Sequence, residues 1–227
     1  MSLVRGAEIS CVRGGISLHL LGYLFDPAEP ELATALAGMR ESRTGRARRM
    51  VGLLAAAGTG VTWERVQQLA AGTIGRPHVA QALLEQGHVG AVAEAFTPEW
   101  IGTHGRFWVA KAELDVLAGV RLITGAGGVA VFAHPGASAR GRTVDDAAIA
   151  AMAEAGLAGL EVDHVDHDDD MRAHLSGLAA DLGLLTTGSS DFHGANKSVR
   201  LGAHLTGEPA YERIVAAASG VQVLAAG

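Results

Sequence analysis

The sequence is short of cysteine, of aromatic residues and of long apolar runs, and each shortage removes a class of protein. Cys11 is the only cysteine and cannot close a disulfide within the chain, so a small scaffold stapled by cystines is excluded. It reads as a small buried strand residue in preference to a nucleophile. Aromatic residues make up 4% of the chain and hydrophobic residues 48%, with 31 glycines, so the core has to be built mainly from Ala, Val and Leu. No apolar run approaches the ~18 residues of a membrane-spanning helix. Met1 to Ala7 also lacks the apolar segment of a signal peptide, and the expectation is a cytoplasmic protein with no membrane partner. A net charge of -6 at pH 7 argues against coating nucleic acid through a general basic surface.

Positive charge is present, but locally. Arg40, Arg43, Arg46, Arg48 and Arg49 form one cluster and Arg140 with Arg142 a second. The first reads equally well as a solvated helix face or as a grip for a small anion.

A chain of 227 residues suits one large α/β domain carrying a helical insertion. Residues 7–12 and 16–24, joined by Arg13-Gly14-Gly15, have the composition of two strands in a hairpin. From Pro30 to about residue 93 the apolar residues recur at helical spacing: Leu32, Leu36 and Met39, then Met50, Leu53 and Leu54, then Trp63, Val66 and Leu69, then Val79, Leu83 and Leu84. Gly58-Thr59-Gly60 and Gly72-Thr73 break this text into separate helices. Beyond residue 112 the rhythm changes to helix followed by a short apolar strand, three times over, with strands at 129–133, 157–162 and 184–187. Thr143 and Asp146 are spaced as a capping box for the middle helix, and Asp168 to Asp170 place negative charge at the start of the next. Helix–strand units of this length imply a parallel sheet or a barrel. The chain therefore divides into an α/β portion at 1–25 and 112–227 and a helical insertion at 26–111.

Residues able to hold metal stand where those strands end. His134 follows the strand at 129–133, and Asp191 and His193 follow the strand at 184–187, the end at which parallel sheets place their sites. In an extended segment the spacing of Asp191 and His193 directs both side chains the same way. Glu8 and His19, on the two hairpin strands, could join them. Imidazole and carboxylate suit Zn, Mn or Fe, and a site with two or more ions activates water against a phosphate ester. A single strand-end histidine is more often a structural residue, and an isolated Asp-x-His is common. The weight lies in the combination.

That combination resembles a known family. Gly6-Ala7-Glu8-Ile9-Ser10, then His19, then Gly75-Arg76-Pro77-His78 within helical text, then Phe132-Ala133-His134-Pro135-Gly136, then Ser190-Asp191-Phe192-His193-Gly194 with Lys197 and Arg200-Leu201-Gly202, is similar to the PHP domain of polymerases and histidinol phosphatases. Within that domain the likeness is strongest to bacterial phosphatases of nucleoside 3',5'-bisphosphates, some of which trim RNA from its 5' end. The resemblance implies a distorted (β/α)7 barrel, present here in part, with a helical insertion and a centre of divalent metal ions (Mn, Fe, Zn or Mg) that hydrolyses a phosphomonoester through metal-activated water. It implies metal-binding roles for Glu8, His19, His134, Asp191 and His193, with Glu8, His134, Asp191 and His193 the catalytic set. Arg76, His78, Arg140, Arg142 and Lys197 would grip the phosphates of a nucleotide or of short RNA.

The resemblance also implies a strand with His-x-His, an Asp and a Thr-Asp-His-type strand before the Gly-Ala-Glu-Ile-Ser segment, none of which has a counterpart in this sequence. The expectations that follow are weak turnover, or a nucleotide-binding module without turnover, and an open strand edge that could pair in a homodimer.

Overall fold

The computed structural model describes residues 2–70, 72, 74–110, 112–192 and 199–225, and for Arg140 the backbone alone. Two compact units result, Met1–Ala33 with Glu113–Gly227, and Thr34–Ala112.

In the first unit, β1 (Ser2–Leu3) pairs antiparallel with β8 (Leu224–Ala225), and strands β2 (Gly6–Arg13) and β3 (Ile16–Tyr23) form the antiparallel hairpin that their composition and turn predict. Gly14 and Gly15, at φ 55° and 72°, make the turn in a backbone region that residues with a side chain enter at a cost. The register pairs Glu8 with Leu21 and Ser10 with His19, so these four share one face. Ile9, Cys11, Leu18 and Leu20 occupy the opposite face and are buried. Cys11 thus has the structural role expected of it.

The remaining strands extend the sheet. β4 (Leu114–Asp115), β5 (Val129–Phe132), β6 (Gly159–Asp163) and β7 (Leu185–Gly188) complete six strands in the order β4-β2-β3-β5-β6-β7. The β4–β2, β5–β6 and β6–β7 neighbours are parallel, whereas β3 meets both β2 and β5 antiparallel. The fold is mixed α/β with a largely parallel sheet. Among the described residues the sheet has two ends, β4 and β7, and no pairing joins them.

Helices α4 (Val116–Gly125), α5 (Asp146–Glu154) and α6 (Asp169–Asp181) alternate with the parallel strands, and α7 (Glu208–Ala217) follows β7. The side chains of Asp115, Asp145 and Asp168 each accept a backbone N–H from the first turn of α4, α5 and α6 respectively. The expected capping by Thr143 is thereby corrected. Asp145 stands at the helix entry with extended backbone and accepts from Ala148 N at 2.9 Å, so the orphan donors of that turn are met two residues later in the chain. Against the hairpin, α4 approaches through Gly119, where a Cβ would lie 2.9 Å from Cys11 Sγ and 3.0 Å from Leu20 Cδ1.

The second unit is helical. It holds most of α1 (Pro30–Ala56), α2 (Trp63–Leu69), α3 (Arg76–Glu85) and a 3-10 helix at Val92–Phe96, around a core of Met50, Leu54, Val66, Val79, Leu83 and Ile101. No helix among the described residues is long and apolar enough to cross a membrane.

Candidate metal centre

Regular strand geometry presents the first two candidates. Glu8 and His19 lie diagonally across the β2–β3 pair on its non-core face, and Glu8 Oε1 is 2.5 Å from His19 Nδ1. The third arrives from β5. Phe132 pairs with Leu20, and one residue beyond the strand Ala133 N still donates to His19 O at 3.0 Å. The chain is therefore fixed beside His19 at the moment it leaves the sheet, and His134 turns in with φ 33°. Its Nε2 lies 3.4 Å from His19 Nδ1 and 3.7 Å from Glu8 Oε1, with the two rings edge-on at 88°.

One carboxylate and two imidazoles thus bring donor atoms within 4.8 Å of one another. At metal–ligand distances near 2.1 Å, neighbouring donors on one ion are roughly 3–3.5 Å apart, so the separations here need only small adjustment to share an ion. The donor set is the nitrogen and oxygen mixture that divalent transition metals take. Both imidazoles, His134 foremost and His19 next, hold the Glu8 carboxyl well below the usual carboxylate range, which keeps it in the ionised form that a ligand requires.

Asp191 comes near by another route. The extended backbone expected at Asp191 is not found: it has φ 46°, a left-handed conformation that Asp tolerates better than most residues, and its N–H donates to Ser189 Oγ at 3.1 Å. Its Oδ2 lies 3.7 Å from Nε2 of His164, a fully buried ring whose centroid is 5.3 Å from that of His134. His193 and Lys197 lie outside the described residues, as does the side chain of Arg140.

The same hairpin and turn enclose a cavity of about 240 Å³ lined by Ser17, His19, Phe132, His134, Ala137 and Arg142, among others. Arg142 is exposed and donates to Gly15 O at 3.3 Å. Arg76 and His78 belong to the helical unit. There Arg76, with Arg43, Arg46 and Gly75, lines a cavity of about 200 Å³ and lies over the Phe96 ring at 5.4 Å, and its burial lowers the guanidinium pKa. His78 Nδ1 accepts the Gly75 N–H, closing the first turn of α3. The arginine cluster is not a uniformly solvated face: Arg46 donates to Val109 O at 2.6 Å and Arg48 lies over Trp63.

Beside the centre stands a residue that strand patterning passed over. Glu161 is 3% exposed in β6 and its Oε2 accepts the His134 N–H at 2.9 Å. The available signal was a carboxylate at the centre of the strand Gly159–Asp163, between Leu160 and Val162, where a charge is rare unless it is engaged.

Comparison with known proteins places this geometry. No family profile matches the chain. The 3',5'-nucleoside bisphosphate phosphatase of Chromobacterium violaceum is 37% identical over 205 residues, covering 87% of this chain and 70% of that protein. A 5'-3' exoribonuclease of Haemophilus influenzae is 30% identical over 207 residues, covering 90% of this chain and 74% of the relative. A crystal structure assigned as a metal-dependent phosphoesterase, from Bifidobacterium adolescentis, superposes with a TM-score of 0.84 at 33% identity, over 96% of this chain and 77% of that one. Similarity of that extent means that the chain belongs to the PHP-type family of metal-dependent phosphoesterases.

Proposed function

We propose that the chain acts on a phosphate monoester of a nucleotide, a nucleoside 3',5'-bisphosphate by preference, with Glu8, His19 and His134 holding a divalent ion. The observation that carries this reading is the meeting of those three side chains at the wall of a cavity that Arg142 also lines. When bound, the ion supplies Lewis acidity toward a phosphate oxygen and makes a coordinated water more acidic. Glu8 contributes negative charge and fixes both imidazoles, and the hairpin ladder keeps that pair rigid. Arg142 offers a planar fork of donors to phosphate, a charge-assisted contact that contributes about 1.5–3 kcal/mol. Asp191 and His193 are proposed to supply further ligands. Arg76 and His78, on the helical unit, and Arg140 and Lys197 are proposed as phosphate grips. Among the relatives, the Chromobacterium violaceum phosphatase bears this activity in its name.

The test is phosphate release from a nucleoside 3',5'-bisphosphate with added Mn²⁺. Release by the wild-type chain that disappears in Glu8→Gln and persists in Arg65→Ala supports the reading, and release equal in all three overturns it. One observation favours a second reading, a nucleotide-binding module without turnover: among the described residues a single cluster of three donors converges, enough for one ion. Binding of the bisphosphate by calorimetry with no phosphate released would select it.

A further inference from the structure

His134 occupies a backbone conformation that a residue with a side chain adopts only when its surroundings hold it there. Two side chains do so, one on each side of the turn. Before it, Glu161 Oε2 accepts the His134 N–H at 2.9 Å. Behind it, His167 Nε2 accepts the Gly136 N–H at 3.1 Å, while His167 Nδ1 donates to Val162 O at 2.9 Å. With Nε2 accepting and Nδ1 donating, the His167 ring bridges the backbone of the turn and of β6. Both nitrogens are thus engaged by backbone, which makes it a clamp.

Both residues are 3% exposed, and both belong to β6 or the turn that follows it. A carboxylate in a buried strand is costly unless it meets strong donors, and here the donor is the backbone of a ligand residue. The length of these contacts sets where the His134 ring lies relative to Glu8 and His19, and ligands function only when held to about 0.5 Å.

We infer that Glu161 and His167 are positioning residues that lock the Ala133-His134-Pro135-Gly136 turn, so that the His134 imidazole enters the centre at the correct depth. The inference rests on the proposed metal reading of Glu8, His19 and His134.

The test uses the 227-residue chain carrying Glu161→Gln, which keeps an acceptor oxygen, Glu161→Leu, which fills the volume and removes it, and His167→Phe, which keeps the ring shape without nitrogen. The first readout is the backbone amide resonance of His134 in ¹⁵N-labelled protein without metal. It should move upfield in Glu161→Gln, because the acceptor loses its charge, by more than the amides of β5. An unmoved resonance overturns the inference. The second readout is Co²⁺ affinity from its visible absorption. Glu161→Leu and His167→Phe should bind about 10–100-fold more weakly, as changes around metal ligands typically do, with Glu161→Gln remaining close to wild type. Glu161→Leu binding as tightly as wild type, or Glu161→Gln falling as far as Glu161→Leu, overturns it. If Glu161→Leu does not fold, Glu161→Gln and His167→Phe decide by the same criteria. Failure of wild-type chain to bind Co²⁺ would instead remove the metal reading itself, and the amide resonance would then decide whether the lock exists.

Discussion

The β2–β3 hairpin and the β5–β6–β7 array contribute to one centre by different physical means. The hairpin offers Glu8 and His19 from mid-strand positions, where the two-residue period alone decides which face a side chain takes. The array offers His134 from a turn at a strand end, at φ 33°, and Asp191, proposed as a further ligand, stands in another such turn at φ 46°. A mid-strand side chain is held by the ladder and by the core face behind it. A strand-end side chain is held by whatever grips its turn, here Glu161, His167 and Ser189. The first kind of site residue is supported by many replaceable contacts and the second by a few that are not.

The largest effect should come from breaking the core that both regions share. Leu20 in β3 and Phe132 in β5 are paired and almost fully buried, so Leu20→Ala should cost about 2–5 kcal/mol and Phe132→Ala about 3–5 kcal/mol. Denaturant unfolding measures both. A cost below about 1 kcal/mol at Leu20, well under the range for such truncations, would mean that the hairpin is not packed as a central element.

Removing ligands comes next. Glu8→Ala and His134→Ala should each weaken Co²⁺ binding by more than the roughly 10–100-fold expected of residues around a ligand, with little change in unfolding for Glu8, which faces away from the core. Calorimetry compares them. If His134→Ala binds as wild type does while Glu8→Ala does not, the array contributes nothing to the ion.

A smaller effect sharpens the account of the array's helices. Asp145→Ala should cost about 1 kcal/mol through loss of the α5 cap. Thr143→Ala should cost much less, since Thr143 is exposed and makes no cap bond. Equal losses in thermal unfolding would restore the capping box at Thr143.

The smallest effect probes the join between the two regions. Tyr23 pairs with Val129 and packs on a cluster of Val129, Leu185 and Ile214. Burial, with a further contribution from the Glu161 charge, pushes its phenol up to about 12. A phenol whose pKa rises from about 10 to about 12 on folding favours the folded state below pH 10, and that contribution is lost as pH climbs from 10 to 12. Absorbance titration of Tyr211→Phe, which leaves Tyr23 as the sole tyrosine, should show its inflection near 12. An inflection near 10 would indicate a solvated ring and a loose join.

Where period and turn chemistry operate locally, the sequence was readable. The composition of residues 7–12 and 16–24, with Arg13-Gly14-Gly15 between them, reads as the hairpin that β2 and β3 form. The three apolar runs gave β5, β6 and β7, and Asp168 was correctly placed at the start of α6. Misreadings arose where several local solutions compete, as between Thr143 and Asp145 for one helix end, or where a residue leaves its regular conformation, as Asp191 does. Glu161 was hidden for a third reason. Within a strand a carboxylate carries no period, and its partner, the His134 N–H, is 27 residues away in the chain.

By itself, then, the sequence determined the alternation of elements, the side of the hairpin on which Glu8 and His19 stand, and, through its motifs, the likeness to PHP phosphoesterases. Those properties follow from the backbone period and from residue chemistry, which act over a few residues. Tertiary structure alone decided that β3 also runs antiparallel to β5, that His134 turns in at positive φ, and that Glu161 and His167 grip its turn. The physical reason is that these depend on hydrogen bonds and close packing between strands far apart in the chain, which exist only once the sheet has formed.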